Sequence, residues 1–125
     1  MLADGSEQDC ALEFPDRPPW VLRCNGPFLA GLAWEGSDLF DCLVEFRRAL
    51  AQQNARLLCM GAAVSVYPSA MSRQAGGRMA YRVRPGRPAA KEDIIDIFAP
   101  APLEDIGSVE EQRRFFEQWL TSLKR

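Results

Sequence analysis

Two stretches of this chain bring back their apolar residues every three or four positions, and almost everything else is cut into short runs by glycine and proline. In "SDLFDCLVEFRRALAQQN", residues 37–54, Leu39, Leu43, Phe46 and Leu50 recur at helical steps. Ser37 stands as the expected N-cap, Asp38 falls in the first turn at the positive helix end, and Asn54 can take the left-handed conformation that stops a helix. In "SVEEQRRFFEQWLTSLKR", residues 108–125, Val109, Phe116, Trp119, Leu120 and Leu123 form one stripe. Ser108 and Glu111 have capping-box spacing, and Lys124 and Arg125 suit the negative end.

The remaining apolar runs read as strands. "WVLRCNG" and "FLAGLAWEG" flank Asn25, Gly26 and Pro27, a turn signal that predicts a hairpin or two adjacent strands. "RLLCMGAAVSVYP" reads as one bent strand or as two broken at Gly61. "MAYRVRPG" alternates Met79, Tyr81 and Val83 against Ala80, Arg82 and Arg84, a strand whose charged side is expected to face solvent. The run from Ile94 to Ala99 is halted by Pro100 and Pro102, which cannot donate to a ladder.

Helices that fall after the second strand and at the end do not alternate as βαβα units. The order predicts an α+β, two-layer sandwich: a mostly antiparallel or mixed sheet of about four to six strands with the two main helices on one face. Phe46, Phe116 and Trp119 are then expected in its core. Residues 1–17, with Asp4, Glu7, Asp9, Glu13 and Asp16, read as a loosely ordered acidic arm, and residues 18–125 as a single α+β domain.

The chemistry narrows by exclusion. The chain has no histidine, which removes Ser-His-Asp and Cys-His nucleophiles, histidine-ligated metals and the commonest general base. Its four cysteines, Cys10, Cys24, Cys42 and Cys59, include no CxxC pair, and they are expected to be free thiols in apolar surroundings. Glu92, Asp93 and Asp96 offer an acidic cluster, but alternation along "EDIIDIF" sends neighbours to opposite faces, so an ordinary solvated charge run is the better reading. No catalytic residue, metal or cofactor is expected, and the protein is not read as an enzyme. A net charge of −2, an acidic start and the lack of a long apolar run predict a cytoplasmic chain with no membrane partner and no global attraction to nucleic acid.

Against that acidic background stands "YPSAMSRQAGGRMAYRVRPGR", residues 67–87, with Arg73, Arg78, Arg82, Arg84 and Arg87 around paired glycines. It has neither the P-loop nor the dinucleotide-fold glycine order. A solvated hairpin tip, an anion or nucleotide site, and a protein-binding surface all remain open. The last draws on Tyr67, Met71, Arg73, Arg78, Tyr81 and Arg82, since Arg, Tyr and Met are enriched in interface cores. On that reading Arg73 and Arg78 project from a hairpin-like turn toward a partner's acidic or nucleotide-binding cleft.

The run "LLCMGAAVSVYPSAMSRQAGGRMAYRVRPGRPAAKEDIIDIFAPAP", with "FLAGLAWEGSDLFDCLVEFRRAL" before it, resembles a family of small bacterial proteins associated with immunity to type VI or polymorphic antibacterial toxins. The resemblance spans about residues 20–102 and is carried by Tyr67, Pro68, Ser69, Met71, Arg73, Gly76, Gly77, Ala80 and Tyr81. It departs at Ala70, where the family favours glycine. It implies a non-catalytic immunity-type inhibitor that neutralises a cognate toxin by occluding its active site. The alternative is a small anion- or nucleotide-binding regulatory module that uses the arginine-rich segment.

Overall fold

The computed structural model describes residues 5, 7–25 and 31–124. Near the N-terminus three short strands, β1 (Leu12–Glu13), β2 (Trp20–Cys24) and β3 (Ala33–Gly36), form an antiparallel sheet in the order β1-β2-β3. Leu12 lies opposite Cys24, and Leu22 opposite Trp34. Period-two alternation sends Leu22 and Cys24 into the core while Arg23 stays in water. The stretch read as a loose acidic arm thus contains a paired strand. The turn expected at Asn25, Gly26 and Pro27 falls largely on residues 26–30, outside those described, but the strands on either side do pair antiparallel.

The first helix, α1 (Leu39–Gln52), lies on β2 and β3. Its cap is Asp38 and not Ser37: Asp38 has extended backbone, and its Oδ1 accepts the Asp41 amide at 2.7 Å. Ser37 serves one position earlier, donating its amide to Asp41 Oδ2 at 3.1 Å. The helix stops where expected, with Asn54 at φ 55°. Leu39, Phe40, Cys42, Leu43, Phe46, Arg47 and Leu50 are buried. At about 1.5–3 kcal/mol for each large apolar side chain, this face is the main source of the fold's stability.

The expected single sheet is in fact two. After α1 the chain spends residues 59–63 on a 3-10 turn, Met60–Ala62, and on isolated bridges from Cys59 to Pro100 and from Ala63 to Ile106. Only then does a second antiparallel sheet form from β4 (Val66–Tyr67), β5 (Met79–Arg82) and β6 (Ile94–Asp96), in that order, with the short helix α2 (Ala70–Gln74) between β4 and β5. Among the described residues no strand of the first sheet pairs with one of the second. The strand faces depart from the expectation at Met79 and Ala80, whereas Val83 just beyond β5 is buried and Arg84 exposed as expected. Ala80 is fully buried and opposite Ile95, whereas Met79 is 42% exposed. A small residue lets the strand approach the core closely, and the larger Met79 is left outside with Tyr81 half-buried.

The terminal helix, α3 (Val109–Ser122), begins with the expected box: Ser108 Oγ accepts from the Glu111 amide at 3.0 Å and Glu111 Oε1 from the Ser108 amide at 2.8 Å. It rests on β4 and touches α1, so the two long helices do not share one sheet face as expected. Phe116 and Trp119 are only half-buried, and the one buried α3 side chain is Gln112. Its amide nitrogen donates to the carbonyls of Gly61, Ala63 and Val66 at 2.8–2.9 Å, and its Oε1 accepts from Arg47 at 2.6 Å. Arg47 also donates to the carbonyls of Gly61 and Gly107. This polar knot satisfies the turn's backbone groups and ties α1 to α3.

Candidate functional site

The arginine-rich segment is folded back onto the protein. Ser69 caps α2 by accepting from the Ser72 amide at 3.0 Å, and the helix ends in Gly76 and Gly77 at φ 107° and 76°. Both glycines are required by space as well as by φ. A Cβ on Gly76 would come within 2.9 Å of the Trp20 ring, and one on Gly77 within 2.7 Å of the Asp38 carboxyl carbon. The Gly76 carbonyl accepts the Leu39 amide at 2.7 Å, so the turn docks on the first turn of α1.

Arg73 turns inward with it. Its Nη1 lies 3.1 Å from Asp38 Oδ2, and the two side chains are 35% and 2% exposed. The same guanidinium lies over the rings of Phe40 and Tyr67, 5.2 and 5.6 Å from their centroids. Arg78 pairs with Asp96 at 3.0 Å and lies over Phe14, and Arg84 pairs with Asp93 at 3.2 Å. Asp93 and Asp96 further accept the amides of Ala90 and Phe98, so they act as local caps and ion-pair partners. Arg82 lies on the same side of β5 as Ala80, with one nitrogen 3.8 Å from Met60 sulfur and its buried Nε without an acceptor among the described residues.

The six residues singled out in the sequence therefore separate. Tyr67 and Tyr81 face each other across β4 and β5. Tyr67 continues into a row of rings, edge-on to Phe40 at 5.3 Å and stacked on Phe116 at 4.1 Å, with Trp119 beyond. Met71 stands on α2 at 79% exposure. Arg73 is committed to Asp38, Arg78 to Asp96, and Arg82 faces the interior side of its strand.

Sequence reasoning missed Met79 and Ile94, each 42% exposed. Ile94 lies opposite Tyr81, and Met79 is two positions along the same strand, so the three share the outer face of β5 and β6. The signal that could have found them is Ala80, the one small side chain in "MAYR" and the one best suited to a tight core.

Three of the thiols are held towards their protonated form. Burial pushes Cys42 up to about 11, and partial burial beside Cys24 pushes Cys10 up to about 12. Burial raises Cys59 as well. Among the described residues no three acidic or cysteine side chains are grouped so as to hold a metal ion. A cleft of about 590 Å³ lies between the N-terminal segment and the end of α1, walled by Cys10, Phe14, Phe46, Leu50, Leu57 and Phe98. Among the described residues no helix is long and apolar enough to cross a membrane. No protein-family model and no curated protein matches the chain, so its functional reading rests on these side chains and on the sequence resemblance.

Proposed function

We propose that the chain is a non-catalytic, immunity-type protein that binds a cognate bacterial toxin in the cytoplasm and occludes its active site with the outer face of β5 and β6. The observation that carries this reading is the exposed pair Met79 and Ile94, with the half-buried Tyr81 opposite Ile94 on the same strand pair, while the small Ala80 takes the core position. Large apolar and aromatic side chains on a rigid strand pair are the material of binding hot spots, and the paired charges of Arg78 and Asp96 supply a polar rim. Met71 on α2 adds a further exposed apolar side chain.

The anion- or nucleotide-binding alternative has less support, because Arg73, Arg78 and Arg84 each already hold a carboxylate of the chain itself. The test is to express the product of the adjacent open reading frame with and without this chain. Growth arrest by that product alone, relieved by co-expression, and a complex measurable by calorimetry are the expected results. The double variant Met79→Glu, Ile94→Glu should weaken that complex at least about a hundredfold, two tenfold steps of about 1.4 kcal/mol, with little change in Tm. Failure of both rescue and complex formation would overturn the proposal, and a rise in Tm with ATP or phosphate would favour the alternative.

A further inference from the structure

The Sγ atoms of Cys10 and Cys24 lie 3.2 Å apart. The register explains why. Leu12 is opposite Cys24, so Cys10, two positions before Leu12, projects from the same face of the ladder on the diagonal. The Asn25 amide donates to the Ala11 carbonyl at 2.8 Å and holds the two backbones together between them. Reaching a covalent S–S distance of about 2.05 Å needs the sulfurs to approach by only about 1 Å. Cys24 is fully buried, whereas Cys10 is half-buried and borders the apolar cleft, so the two thiols differ in their access to a reagent.

We propose that Cys10 and Cys24 are a disulfide site, oxidised by small-molecule disulfides of the glutathione type, which fastens the N-terminal segment to β2 and fixes one wall of the cleft. The Cys10 thiolate attacks one sulfur of glutathione disulfide and expels the first glutathione thiolate. Cys24, deprotonated, then attacks Cys10 Sγ, forms the intramolecular bond and expels the second. Two protein thiols become one disulfide, one glutathione disulfide becomes two glutathione thiols, and the two thiol protons pass to the leaving thiolates. Because burial and Cys24 hold the Cys10 thiol at about 12, the reaction is slow at neutral pH. Its rate should rise about tenfold per pH unit from 7 to 9, as the thiolate fraction does. The inference is independent of the partner proposal.

The test is to incubate the full chain with glutathione disulfide at pH 8.5, block remaining thiols, and digest without reduction using trypsin and an endoprotease that cuts after glutamate. Cleavage after Arg23 and Glu35 isolates Cys24 from Cys42, so a Cys10–Cys24 linked pair is identified by mass. We expect that pair, a loss of two hydrogens from the intact chain, and a Tm higher by about 10 °C, as closing a loop of this length gives. Cys10→Ser, a change at a half-buried position, should abolish all three. The proposal is overturned if Cys10 stays open to the blocking reagent, if it stops as a glutathione adduct, if it pairs with Cys42 or Cys59, or if the bond forms without raising Tm.

Discussion

Two helices of 14 residues, each opened by a side-chain cap, are used differently in this molecule. α1 buries seven side chains, six of them apolar, whereas α3 buries a single glutamine and leaves Phe116 and Trp119 half in water. Both have an apolar stripe of helical period. The stripe tells that a helix has a face to cover, and the depth of cover depends on what lies opposite. α1 meets the inner face of a three-stranded sheet, while α3 meets the two-residue β4, where Phe116 stacks on the Tyr67 ring. α3 is therefore held by one buried polar anchor and an outer row of aromatic contacts.

The contrast gives a ranked set of mutations, each read by denaturant unfolding. Phe46→Ala removes a fully buried ring stacked on Trp34 at 4.5 Å and should cost about 3–5 kcal/mol. Gln112→Ala should cost about 2–3 kcal/mol, because it removes its donor from the carbonyls of Ala63 and Val66, leaves Gly61 with Arg47 alone, and takes an acceptor from Arg47. Trp119→Ala, which loses partly exposed area and a 2.8 Å bond to the Arg87 carbonyl, should cost about 1–2 kcal/mol. If Trp119→Ala proves as costly as Phe46→Ala, the division between an inner and an outer helix fails.

The smallest effect concerns the α3 cap. Hydrogen bonds from the Ser108 amide and then its side chain lower the Glu111 pKa below 4.5. A lowered carboxylate pKa stabilises the fold above its unfolded value, and that contribution is lost as pH falls through the folded value. Wild type and Glu111→Gln should therefore differ in Tm at pH 7, and the difference should shrink as the pH is lowered below the carboxylate range. A difference that does not change with pH across that range would assign the box no electrostatic part.

Features encoded within a few residues were legible in the sequence. The capping box at Ser108, the helix stop at Asn54, the strand "MAYR" and the sharp turn at Gly76 and Gly77 all follow from local spacing and backbone preference. What depends on distant partners was not. Between the two sheets the chain forms isolated bridges in which Cys59 and Ala63 meet Pro100 and Ile106, some forty residues away in sequence. Period two with the charges of Arg82 and Arg84 points to the Ala80 side as the wet face of β5, but Ala80 is buried and Met79 exposed. Asp38 reads as an ordinary first-turn acid and Arg73 as a free surface cation. Only folding reveals that they are a pair beneath a glycine turn that leaves no room for a Cβ.

That pair is the most direct point of attack, because the account holds that Arg73 belongs to the fold and that Met79, Tyr81 and Ile94 belong to the partner. The decisive measurement is the unfolding free energy of Arg73→Glu. It sets a second carboxylate against the buried Asp38, and the account predicts a loss of at least about 2 kcal/mol whether or not a partner is present. An Arg73→Glu protein as stable as wild type, and deficient only in binding its partner, would contradict the account and return the arginine to the interface.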